Sequence, residues 1–137
     1  MPEENTDIRK LNAVVSVVDD DESVRKSLKR LLASMGFQVE TFPSAINFLN
    51  EGKLQAFGCV IVDVRMPEMN GLDLQKQLNA SGIRLPVVFI TAHEDLAIKM
   101  QALEAGAYAF LQKPFSAPSL IDAINLALES SNQHMHQ

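Results

Sequence analysis

Apolar residues along the 137-residue chain follow two spacings. Short, nearly unbroken apolar runs (AVVSVV, GCVIV, PVVFI, YAFLQ) are separated by stretches in which Leu, Ile, Val and Met return every three or four positions. An unbroken run fits a parallel strand covered on both faces, and the wider spacing fits a helix that buries one side. The first run predicts a strand at about 13–18. Asp21-Glu22-Ser23 then opens a helix to about Met35, with Asp21 and Ser23 as capping residues and Gly36 as its stop. Its apolar face is Val24, Leu28, Leu31, Leu32 and Met35, and the opposite face carries Arg25, Lys26, Lys29 and Arg30. Such a basic cluster is usually a solvated face and less often a docking surface.

Phe37 to Phe42 alternates as a second strand, and Pro43-Ser44 starts a short helix with Ile46, Phe48 and Leu49 inward. The third strand is 58–63. A loop marked by Pro67 and Asn70-Gly71 leads to a helix with Leu74 and Leu78 one turn apart, closed by Ser81-Gly82. Strand four covers 86–91. The next helix runs from about Asp95 to Ala105, with Leu96, Met100 and Leu103 on one face and Gly106 at its end. Strand five is 108–112, broken by Lys113-Pro114. The last helix, Ser116 to Glu129, turns Leu120, Ile121, Ile124, Ala127 and Leu128 inward. Repeated strand–helix units need right-handed crossovers. The expected fold is α/β: a doubly wound, five-stranded parallel sheet of flavodoxin-like order 2-1-3-4-5, with helices on both faces. Residues 12–129 form the domain, 1–11 a flexible N-terminal segment, and 130–137 a polar tail or the start of a linker.

Composition narrows the function. Twelve basic against 17 acidic side chains give a net charge of −5, which argues against direct nucleic-acid binding by this domain. The N-terminus has no apolar signal core, and no apolar run approaches the roughly 18 residues of a membrane span. A cytoplasmic protein without membrane partners is expected. Cys59, alone of its kind, lies within an apolar run and reads as a buried reduced thiol.

The chemistry lies where the strands end. Asp19-Asp20, Asp63, Thr91 and Lys113 each follow one of the apolar runs, and in a parallel sheet those ends open on one rim. Taken singly, each has an ordinary use as a cap, turn former or strand-end residue. Together they bring three carboxylates, a hydroxyl and an ammonium to one place. Carboxylates so crowded repel one another unless a cation joins them, and oxygen-only ligands select a hard ion such as Mg²⁺. A backbone carbonyl from 63–66 and waters would complete its shell. Asp63, ending the central strand, can act as a nucleophile toward a phosphoryl group. Thr91 can donate a hydrogen bond to that group, and Lys113 can neutralise it. No organic cofactor is implied.

With these residues in place, the chain resembles the receiver domain of a bacterial two-component response regulator. The resemblance covers about residues 12–129 and rests on VVDDDESVRKSL, VIVDVRMPEMNGLDL, PVVFITAH and GAYAFLQKPF. It implies a CheY-like fold, Mg²⁺ held by Asp19, Asp20, Asp63 and the Arg65 carbonyl, and Asp63 as phosphoacceptor for a histidine kinase. Thr91 and Lys113 would contact the phosphoryl group, Phe110 would be the switch aromatic, and the Lys113–Pro114 bond would be cis. VRMPEMNGLDL with TAH is similar to FixJ-type regulators of the NarL/LuxR class, which carry a C-terminal DNA-binding domain. This chain stops soon after its last helix. It is therefore expected to be either a stand-alone receiver or one whose effector domain, the route to DNA and transcription, has been cut off. The resemblance further implies that the fourth helix, fifth strand and fifth helix form the output or homodimer face, with Ile98, Ala102 and Tyr108 as surface residues. By position alone, Arg65 and His93, two residues beyond Asp63 and Thr91, either overhang the acyl-phosphate and hinder the attacking water or point into solvent.

Two other functions compete. A haloacid-dehalogenase-type phosphatase would place a second Asp where Arg65 stands. A flavin carrier would need a hydroxyl- and glycine-rich phosphate loop where Asp19-Asp20-Asp21-Glu22 stands.

Overall fold

A computed structural model describes residues 14–51, 53–92 and 96–135. The expected lead-in at 1–11 and His93 lie outside the described residues. In chain order the elements are β1 Val14–Val18, α1 Glu22–Ser34, β2 Gln38–Phe42, α2 Ala45–Glu51, a 3₁₀ turn Leu54–Ala56, β3 Phe57–Asp63, α3 Gly71–Ala80, β4 Val87–Thr91, α4 Leu96–Glu104, β5 Ala109–Gln112 and α5 Ala117–Met135. The five strands form one parallel sheet of order β2-β1-β3-β4-β5, as the strand–helix repeat predicts.

Why β3 is apolar up to Asp63 follows from the two layers. Cys59 and Ile61 join Val15, Val17, Val88 and Ile90 under α1 and α5. Val60 and Val62 point the other way, joining Val18, Val87 and Phe89 under α2, α3 and α4. Both faces of the central strand are therefore sealed. Burial pushes the Cys59 thiol up to about 12, so it stays protonated.

The helix ends follow their capping chemistry. Asp21 alone caps α1: its carboxylate accepts the backbone N–H of Ser23 and Val24, and Ser23 lies within the helix. Gly36 takes the left-handed conformation after α1, at φ 94°. Asn70 and Asp73 form a reciprocal capping box at the start of α3, which fixes the loop leaving β3.

Several apolar helix positions do not face the core. Met35 and Ile46 are exposed; Phe37 and Ala45 take the inner places. On α4, Leu96, Met100 and Leu103 do share a face, but it is the outer one, with Leu96 71% exposed, while Ala102 is fully buried. Apolar residues are spread around that helix between Lys99, Gln101 and Glu104, so spacing alone cannot select its buried face. At the last helix, α5 continues past Glu129 to Met135, because the polar residues there contain no stop signal.

Candidate functional site

Four strand ends at the C-terminal rim of the sheet carry the five groups, the β1 end bringing two of them. The β1–α1 loop brings Asp19, whose side chain is 1% exposed. Its backbone N–H donates to the Phe42 carbonyl at 3.1 Å, and its Oδ1 accepts the Asp21 N–H at 2.9 Å. The Arg25 guanidinium donates to the Asp19 carbonyl oxygen at 2.7 Å. Arg25 thus belongs to the scaffold of the site rather than to a free basic face, which its place on the polar side of α1 did not reveal.

At the end of β3, Asp63 Oδ1 accepts the Arg65 N–H at 2.9 Å. Its Oδ2 lies 3.7 Å from Lys113 Nζ, and the same ammonium is 3.9 Å from Asp19 Oδ2. One carboxylate oxygen from each of Asp19, Asp20 and Asp63 falls within 4.8 Å of the others. Thr91, 3% exposed, ends β4 one residue beyond the Asp63 partner Ile90. Its carbonyl accepts the Lys113 N–H at 2.7 Å, tying the ends of β4 and β5 together. The Lys113–Pro114 bond is cis. All five rim residues singled out by the sequence therefore meet at this edge.

Electrostatics marks Asp19 as the costly member. Its carboxyl is raised from 3.8 to about 6, chiefly by burial; the Asp21 N–H pulls it down, Asp63 raises it, Lys113 lowers it and Asp20 raises it. Among the described residues, its buried Oδ2 accepts no hydrogen bond. A desolvated, incompletely bonded oxygen in an all-oxygen cluster suits a hard divalent cation. The acidic cluster fits Mg²⁺ on that observation.

Near this cluster stand the expected switch aromatic and the residues expected on the output face, of which only some are at the surface. Phe110 is half-buried, with its ring centroid 6.3 Å from that of Phe89 at 49°. Ile98 is half-buried, Tyr108 is exposed, and Ala102 lies in the core, so it cannot be a surface contact. A groove of about 370 Å³ runs from Arg65 and Met66 to Ile98, joining the loop after Asp63 to α4. Gly71, unnoticed except as part of a turn, packs against the Asp63 backbone. Its only sequence signal was the Asn-Gly pair.

A doubly wound domain with acidic groups and a lysine gathered at the switch-point rim is the architecture of a signalling receiver rather than of a flavin carrier or a capped phosphatase. The chain belongs to the response regulator receiver domain family, whose profile matches residues 15–125. It is 45% identical over 121 residues to the response regulator protein TodT of Pseudomonas putida, covering 88% of this chain and 53% of TodT. It is 42% identical over 123 residues to the transcriptional regulatory protein FixJ of Azorhizobium caulinodans, covering 90% and 58%. The chain spans about half the length of these curated relatives. Among solved structures it resembles response regulator StyR (TM-score 0.86, 46% identity, 91% of this chain and 63% of that one). It also resembles FixJ-N (TM-score 0.79, 39% identity, 85% and 94%). No helix among the described residues is long and apolar enough to cross a membrane.

Proposed function

We propose that this receiver domain is loaded with phosphate on Asp63 by a partner histidine kinase. The observation that carries the reading is the approach of Lys113 Nζ to Asp63 Oδ2 at 3.7 Å, beside the buried, incompletely bonded Asp19. An Asp63 oxygen attacks phosphorus in line. The bond from phosphorus to the kinase imidazole nitrogen breaks, and its electron pair stays on that nitrogen. Lys113 pairs with the phosphoryl oxygens and the Thr91 hydroxyl donates to one of them. Asp19, Asp20, Asp63 and the Arg65 carbonyl are the groups that would hold Mg²⁺. When bound, the ion neutralises phosphoryl charge. The domain acts as a signalling phosphoacceptor that promotes its own loading and hydrolysis, not as an enzyme with a separate substrate.

Loading raises the local negative charge by about one unit. Thr91 is drawn toward it, Phe110 turns into the vacated space, and the α4–β5–α5 surface repacks as one of two pre-existing states gains population. The outward row Leu96, Met100 and Leu103, with Tyr108 nearby in sequence, supports that surface as a contact for a second copy or an output domain. A relative named as a transcriptional regulatory protein, of whose length the match covers 58%, supports output in the cytoplasm through a DNA-binding domain outside this chain.

Incubation with acetyl phosphate and Mg²⁺ should add one phosphoryl group per chain, read by intact-mass spectrometry, and chelation should prevent it. No adduct from either acetyl phosphate or a phosphorylated kinase would overturn the reading. The lifetime of the adduct tests the neighbours. Arg65→Ala and His93→Ala should each speed hydrolysis a few-fold by opening a path for water, measured as loss of label after donor removal. Unchanged lifetimes would assign both side chains to solvent.

A further inference from the structure

The loop after Asp63 returns to the sheet at Gly71, the first residue of α3. The Gly71 N–H donates to the Val64 carbonyl at 3.0 Å, and the Val64 N–H donates to the Ile90 carbonyl at 3.0 Å. The peptide that follows Asp63 is thus held by β4 on one side and by α3 on the other. The helix comes this close only because Gly71 has no side chain. A Cβ there would stand 2.8 Å from the Asp63 carbonyl oxygen, 2.8 Å from Phe89 Cε1 and 3.1 Å from Val64 Cα. Real Cβ atoms essentially never come as near as the first two, the third is tight, and the Asp63 and Val64 atoms are backbone.

The ring of Phe89 can tilt or be replaced, but the Asp63 carbonyl cannot move without rotating its peptide. Rotation of that peptide alone would swing its Val64 N–H off the Ile90 carbonyl, so with that bond kept the displacement passes to the Asp63 Cα and with it to the side chain, whose Oδ1 is held by the Arg65 amide at 2.9 Å and whose Oδ2 faces Lys113 at 3.7 Å. We propose that Gly71 is a positioning residue for phosphoryl transfer: by letting α3 close on the Asp63 carbonyl, it fixes the direction of the phosphoacceptor carboxylate. The inference rests on Asp63 as the phosphoacceptor. A purely structural role would act through the Phe89 contact instead, and the two contacts can be separated.

The test compares wild type, Gly71→Ala, Phe89→Leu and the double variant. Initial rates of acetyl phosphate labelling are taken per folded chain, with the folded fraction read by far-ultraviolet circular dichroism. Gly71→Ala should label on the order of tenfold more slowly or worse, as misaligned reactants do. In metal-free protein its Arg65 amide resonance should move, because the acceptor of that N–H has turned. The double variant should regain melting temperature over Gly71→Ala while its labelling stays slow relative to Phe89→Leu. Recovery of rate together with stability would overturn the proposal, as would a wild-type rate in Gly71→Ala. Should Gly71→Ala not fold, the double variant carries the comparison; failure of both to fold would make the contact a requirement of the fold and overturn the positioning role. An unlabelled wild type would instead remove the phosphoacceptor reading itself.

Discussion

Asp63→Asn protein should fold and yet take up no phosphate from acetyl phosphate or from a phosphorylated kinase. The substitution changes one atom's chemistry at nearly constant volume. The remaining amide oxygen can still accept the Arg65 N–H that now reaches Asp63 Oδ1 at 2.9 Å, so the β3–α3 loop keeps its tether. A carboxamide lacks the anionic oxygen that attacks phosphorus. It also withdraws one of the three carboxylates, and with it one of the charges that raise Asp19. Labelling should fall to background, the largest effect expected at any position. Intact-mass spectrometry with and without Mg²⁺ is the measurement, and Mg²⁺-dependent label surviving on the variant would assign the acceptor to another residue.

Asp19→Asn should have the opposite character, raising stability while removing function. The Asp19 carboxyl is raised from 3.8 to about 6, first by burial. The folded protein therefore holds this proton more tightly than the unfolded chain does. Metal-free protein has its full stability below about pH 3.8 as far as this group is concerned, and loses it as pH rises through about 6. A shift of roughly two units corresponds to on the order of 3 kcal/mol. At neutral pH without divalent ions, Asp19→Asn should gain about 2–3 kcal/mol in urea unfolding, and its stability should lose the slope between pH 4 and 6. Its Oδ1 can keep the Asp21 N–H. With Mg²⁺ present the order should narrow or reverse, since a ligand bound only by the folded state stabilises the wild type. A variant no more stable than wild type in chelator, with an unchanged pH slope, would show that burial of Asp19 costs little.

Both experiments act on residues that the sequence placed well, and the reason is physical. A strand buried on both faces must be apolar throughout, so a carboxylate closing such a run stands out, and parallel topology puts all these ends on one rim. The rim, the sheet order and the capping Asp21 were legible on that basis. The orientation of α4 was not. Leu96, Ile98, Met100, Ala102 and Leu103 surround the helix, and only packing on the sheet decides that Ala102 is inside. The end of α5 was misplaced because the apolar pattern fades after Leu128 although no Gly or Pro interrupts the helix. Ile46 sits one position past the inward-pointing Ala45, and a single-residue offset on a helix is about 100°. Arg25 and Gly71 act through backbone contacts with Asp19 and Asp63. Such contacts leave no trace in spacing.

The sealed sulfur in β3 has a practical side. Cys59 is the chain's one cysteine, fully enclosed and kept protonated, and the chain has no tryptophan. Maleimide dyes should pass over the native protein, so a cysteine introduced at an outward position such as Met100 becomes a clean attachment point. A single added indole would likewise emit against a dark background. The domain thus offers itself as a scaffold for optical reporters of its own conformational state.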